Sequence, residues 1–326
     1  MKSSKILATI AIASLFAASS YAADAKEEVL ATYGAITIKK VKNSAGVERT
    51  VAYIDDESKA TTVIEKEIKV DSVHFTRVFN VGQNEPDSRA STLMLPFDVE
   101  QSASWKLGVD LYEFVRVVKE SGRTDYQIYV KNQGSPDAGH MKANTPYIAI
   151  VKNENRDRKI AFNTQGTDLK KITLKPTTGN HVVRHGEGDF YWDFTGTYEN
   201  IEFKNPKNIF GFAGGTDAKT KLGDFRKAAC NGDKCASIRP FRAYLKCVPK
   251  SLNKSADEVE LPETIKVFVI DDNGNKGTTA IGTLNTRTGE FVKEDNHWFD
   301  MKGRVLDHKP TAKGTYYNNK KKVIIK

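Results

Sequence analysis

Little in this 326-residue chain announces a reaction. It holds three cysteines, ten prolines, three tryptophans and six histidines. Three cysteines are too few for a disulfide-built scaffold. With a four-residue spacer and no paired histidines, they also fail to match a structural zinc site. No Gly-rich phosphate loop, nucleophile elbow or HExxH stretch occurs, which removes the usual nucleotide-binding, acyl-transfer and zinc-hydrolase signatures. After residue 22 there is no run of about 18 apolar residues that could cross a bilayer as a helix. Helical periodicity is scarce too. The best helix candidate, VEQSASWKLGVDLYEF (residues 99–114), is weakened by Gly108 and its β-branched neighbours.

The body of the chain also lacks net charge. Of 50 basic and 41 acidic residues, Lys2 and Lys5 fall within the first 22 positions, and residues 301–326 hold eight basic residues against Asp307 alone. Residues 23–300 carry 40 of each sign. A nucleic-acid binder concentrates positive charge on the folded face that meets phosphate, so this distribution argues against nucleic acid as a partner.

What is present is an export signal and alternation. Lys2 and Lys5, the apolar ILATIAIASLFAA and the small-residue site Ser20-Tyr21-Ala22 read as a cleavable signal peptide, residues 1–22. Downstream, nearly every apolar stretch has period two. GAITIKKVKNSAGVERTVAYID alternates through Ile36 and Ile38, turns at NSAG and resumes at Val51 and Tyr53, a hairpin. VDSVHFTRVFNVG places Val73, Phe75, Arg77 and Phe79 on one face. Similar strands recur every 8–12 residues between Gly, Pro, Asn and Asp turns, the spacing of a sandwich or barrel. The expected fold is all-β, an antiparallel β-sandwich over 71–250. A hairpin region at 23–70 precedes it, and a linker with one or two strands at 251–298 and a short β tail at 299–326 follow. Cys230 and Cys235 flank the turn NGDK, and antiparallel pairing there would allow a disulfide; a Cys235–Cys247 bridge or three free thiols are the alternatives.

The stretches YGAITI, VHFTRVFNVG, STLMLPFDV, NTPYIAI, WDFTGTY and IRPFRAYL, in that order, resemble a recurrent module of exported proteins from gut and rumen anaerobes that use type IX secretion. That module has no established activity. The tail resembles a short form of the C-terminal sorting signal of that system at Phe299, Asp300, Gly303, Arg304, Gly314, Tyr316 and the terminal KKVIIK ending at Lys326. The resemblance implies transport across an outer membrane by the export machinery, with surface attachment. Physically the tail reads as two strands, WFDMKGRVL and YYNNKKKVIIK. Gly303 and Gly314 are expected to take conformations closed to other residues.

HVVRHGEGDFYWDF is the stretch with the most titratable groups. His181 and His185 would share a helix face, but the valines and GEG favour a strand ending in a turn. Asp189 and Asp193 fall four apart on a strand, roughly 13 Å, too far for a glycoside-hydrolysing pair at about 5–9.5 Å. Asp271, Asn273 and Asn275 begin like a calcium loop, but Lys276 and Gly282 break the pattern, and Asn273-Gly274 reads as a hairpin turn. No metal, cofactor or catalytic set is expected. Exposed rings are the candidates for glycan contact: Trp105 and Tyr191 first, then Tyr147 and Trp298. The expectation is an exported, cell-surface, non-catalytic protein engaged in adhesion or glycan contact. An extracellular polysaccharide hydrolase using the acidic strand 187–193, or a spacer for surface display, are the alternatives.

Overall fold

The computed structural model describes residues 27–42, 46–78, 90–99, 109–119, 126–134, 141–151, 159–163, 171–179, 181–204, 206–213, 223–251, 261–270, 282–285, 290–293, 298–301, 305–306, 310–311, 313–318 and 321–325. Every regular element among them is a strand, and the fold is all-β and sandwich-like. In chain order these are β1 (Glu27–Tyr33), β2 (Ile36–Lys42), β3 (Glu48–Ile54), β4 (Ile68–Val70), β5 (Ser72–Val78) and β6 (Ala90–Leu93). Then come β7 (Val109–Lys119), β8 (Tyr126–Gly134), β9 (Tyr147–Val151), β10 (Lys159–Asn163) and β11 (Ile172–Leu174). β12 (Val182–Glu187), β13 (Phe190–Thr197), β14 (Ile201–Glu202), β15 (Ile209–Phe212) and β16 (Phe225–Lys227) lead to β17 (Cys230–Asn231), β18 (Lys234–Cys235) and β19 (Ser237–Ile238). β20 (Arg242–Pro249), β21 (Thr264–Ile270), β22 (Gly282–Asn285) and β23 (Glu290–Lys293) complete the body.

Two sheets dominate. One has five strands in the order β1-β2-β3-β5-β10, with β3 and β5 parallel, so it draws on both sides of residue 70. The other runs β12-β13-β20-β15-β16-β21-β8-β7-β9-β6, with β22 and β23 branching from β21. Within the 251–298 stretch expected as a linker with one or two strands, β21 lies in the middle of this sheet, parallel to β8. The helix candidate is overturned where it is described. Val109–Lys119 is an eleven-residue strand, because Leu111 and Tyr112 are both buried on opposite faces, as only an extended chain allows.

The large sheet folds back on itself. Val117 of β7 donates its N–H to His185 Nδ1 of β12 (3.3 Å), and Lys119 N–H reaches Glu187 Oε1 (3.0 Å). At the other margin the Thr92 hydroxyl of β6 donates to the Ala243 carbonyl of β20 and accepts its N–H, both at 2.9 Å. The folded sheet encloses an aromatic core around Trp192, Phe194, Phe210, Phe225, Tyr112 and Phe114. A second core lies between the five-stranded sheet and the outer side of β6, β7 and β9. β9 serves both cores: Tyr147 and Ala149 face one, Ile148 and Ile150 the other. A strand buried on both faces shows a continuous apolar run, which is why YIAIV does not alternate in hydropathy.

The stretches that carry the sequence resemblance meet in this second core. Ile36, Phe75, Met94, Phe97, Tyr147, Tyr198 and Phe241 each come from one of them. Gly196 of WDFTGTY is constrained by packing: a Cβ there would lie 2.2 Å from the Met94 sulfur. These residues specify packing rather than a ligand.

The tail forms a sheet of its own, in the order Val305–Leu306, Trp298–Phe299, Gly314–Asn318, Lys321–Ile325. Each of the two expected strands is therefore itself divided into antiparallel partners, Trp298–Phe299 with Val305–Leu306 and Gly314–Asn318 with Lys321–Ile325. Gly314 does not take a left-handed conformation. A Cβ there would instead lie 3.2 Å from the Tyr316 ring, so the glycine allows a close approach. Gly303, Arg304 and Lys326 lie outside the described residues.

Candidate functional site

The β12–β13 hairpin separates the groups that the sequence places close together. His181 Nε2 donates to the Thr177 carbonyl (3.0 Å), and its ring meets Tyr198 edge-on at 5.3 Å. His185 accepts the Val117 N–H, and burial lowers its pKa. Glu187 is engaged by the Lys119 backbone. Asp193, opposite Arg184 in the register, takes a bidentate hydrogen bond from it, with Nε and Nη2 both at 2.7 Å. Arg184 and Lys250 both lie over the Tyr191 ring, at 4.8 and 5.3 Å. The proposed glycan contact Tyr191 thus already has its ring covered by two cations. No group of three His, Cys, Asp or Glu side chains able to hold a metal gathers among the described residues.

The other candidates are dispersed. Tyr147 is fully buried, its hydroxyl accepting the Lys142 N–H, and is unavailable to a ligand. Trp298 pairs with Leu306 and Asn318 in the tail sheet, whereas Trp105 and the Asp271–Asn275 loop lie outside the described residues. Cys230 and Cys235 form a disulfide across the β17–β18 turn, and Cys247 is the free, buried thiol. Burial first, then the charge of Asp193, pushes the Cys247 pKa up to about 12, which leaves it unreactive.

Sequence reasoning missed a cleft that the fold builds. On the outer face of the large sheet, the register sets Thr195, Tyr244, Gly211 and Arg226 side by side across β13, β20, β15 and β16. A Cβ at Gly211 would meet nothing within 4 Å. Above this row lies an open cleft of about 820 Å³. Nine of its twenty described lining residues are Ala, Gly or Ser, which leaves room. One wall is Phe203, whose ring meets Tyr244 edge-on at 5.1 Å, together with Ala236, Ser237 and Ile238 beside the disulfide hairpin. That disulfide closes a short loop and contributes roughly 2 kcal/mol to holding the wall by the loop-closure estimate.

Under the opposite wall lies a buried ionic triad. Arg77 gives Nε and Nη2 to Asp56, Nη1 to the Thr92 carbonyl (2.6 Å) and Nη2 to the Phe241 carbonyl (2.9 Å). Arg242, which lines the cleft, donates to both oxygens of the same carboxylate at 2.6 and 2.9 Å. Arg77 and Asp56 are 2% and 4% exposed. Burial pushes the Asp56 carboxyl above the ordinary range, and the charge and hydrogen bonds of Arg242 pull it back. Arg242 is aimed by Phe241, which holds a φ of +62° that bulky residues rarely adopt. Its N–H donates to Thr197, its carbonyl accepts from Met94 and Arg77, and its ring packs on Phe75 and Tyr198. Arg239 and Glu57 form an ion pair at the rim.

Fold and site together define a curled all-β scaffold with an open aromatic and basic cleft. Comparison of the chain with protein-family models, with curated proteins and with solved structures returned no match.

Proposed function

We propose that this is an exported, cell-surface binding protein that contacts glycan through the cleft and performs no chemistry on it. One observation carries the reading: the Tyr244–Gly211–Arg226 row, where an aromatic ring, a gap and a guanidinium lie under open space. A pyranose offers C–H groups on one face and hydroxyls at its rim, which suits an amphipathic tyrosine beside hydrogen-bond donors. Two of the three carboxylates of the acidic strand support binding over hydrolysis, since Asp193 is paired with Arg184 and Glu187 with the Lys119 backbone. Export is supported by the N-terminal signal pattern and the disulfide, a bond favoured in oxidising compartments. The sorting role of the tail is supported by its motif and by its own small sheet.

Co-sedimentation with insoluble polysaccharides tests the binding reading. Tyr244→Ala is expected to lose at least tenfold in affinity, while Tyr191→Ala binds as wild type. Equal loss in both, or in neither, removes the cleft from consideration. Deleting residues 299–326 is expected to leave the body folded but retained in the cell envelope; export at the normal level would reject the sorting role.

A further inference from the structure

We infer that the cleft selects an acidic saccharide, with its anionic substituent near Arg242 and Arg226 and its ring against Tyr244. This rests on the glycan reading above and names the ligand class within it.

The charge arrangement carries the argument. Arg77 and Arg242 share the single carboxylate of Asp56, so the triad holds one positive charge more than it neutralises. Arg77 is sealed inside, with its remaining donors on the Thr92 and Phe241 carbonyls. The member that reaches the cleft is Arg242, its side chain 18% exposed. A charge with so little water around it gains more from an arriving anion than a solvated surface lysine would. At the rim Arg239 is matched by Glu57, which is the one carboxylate among the described lining residues. Arg226, on the exposed side of β16, adds a second guanidinium beyond the Gly211 gap.

The spacing suits a sugar. Tyr244 and Arg226 stand on strands either side of β15, so they are two strand spacings apart, roughly 9–10 Å, about one substituted pyranose across. Guanidinium groups pair with carboxylate or sulfate through parallel hydrogen bonds, which gives orientation as well as attraction.

The test uses the full chain and four soluble polymers: polygalacturonate, its fully methyl-esterified form, dextran sulfate and dextran. Affinities are compared for wild type, Arg226→Gln and Arg242→Gln. Arg226→Gln replaces an exposed side chain and keeps a hydrogen-bonding group there, and Arg242→Gln leaves Asp56 paired with Arg77; the denaturation midpoint of each variant is measured alongside its affinity. At least one acidic polymer is expected to bind tenfold or more tighter than its neutral counterpart, with the preference falling below threefold in both variants. Polygalacturonate alone identifies the anion as carboxylate, dextran sulfate alone as sulfate, and either supports the inference. A preference unchanged in both variants assigns it to the basic tail and overturns the inference. Equal binding of acidic and neutral polymers overturns it too, while leaving glycan binding in place. Binding of none, on neutral and insoluble polysaccharides alike, overturns the glycan reading itself.

Discussion

Two ends of one sheet face carry similar residues and come to opposite results. At the β12–β13 end, Arg184, Asp193, Tyr191 and Lys250 meet one another, and the polar groups are used up internally. At the β20–β15–β16 end, Tyr244 and Arg226 are separated by Gly211, and space remains between them. Both ends contain a tyrosine, arginine and strand hydrogen bonding. The side chain missing at Gly211 leaves room at one end that the other lacks. The cleft is made by what the fold leaves unfilled, and counting chemically capable residues along the chain does not find it.

The comparison is sharpened most by stability. Asp56→Ala strands two guanidinium groups, one of them sealed in the interior, and is expected to cost about 3–5 kcal/mol in urea denaturation. Asp193→Ala leaves Arg184, half exposed, to water and is expected to cost about 1 kcal/mol or less. Equal costs would mean that the two ends do not differ in the way described. A smaller effect concerns acid. Burial lowers the pKa of both His74 and His185 from the ordinary 6.5, so unfolding makes each easier to protonate. Their contribution to stability is complete above about pH 6.5 and is lost as pH falls through the lowered values. The denaturation midpoint is therefore expected to drop between pH 7 and 5. Binding per folded molecule, which relies on arginines, is expected to hold over the same range; a parallel fall in both would tie the cleft to the histidines.

Strand alternation made most of the fold legible, and also the position of Arg77. Its spacing from Val73 and Phe75 places it on a buried face, and a charged residue at such a position signals a buried partner. That partner, Asp56, lies in the turn after β3 and could not be paired with it without knowing that β3 and β5 run side by side. β1 escaped notice because Val29 and Leu30 are exposed at a sheet edge, so no alternation marks the strand. The cleft was illegible for a related reason. Gly211 and Arg226 come from the consecutive strands β15 and β16, but Tyr244 comes from β20, and its adjacency to them is a property of strand order. The histidine and carboxylate stretch drew attention because its groups are close in sequence, whereas the hairpin register sets His185 opposite the core residue Trp192 and Asp193 opposite Arg184 on the other face.

Gly211→Val tests the central claim most directly. Valine suits a strand, and its Cβ enters open space, so the variant is expected to keep the wild-type far-ultraviolet spectrum and denaturation midpoint. With the gap filled, affinity for the bound polysaccharide is expected to fall at least tenfold. A folded Gly211→Val protein that binds as tightly as wild type would contradict the account.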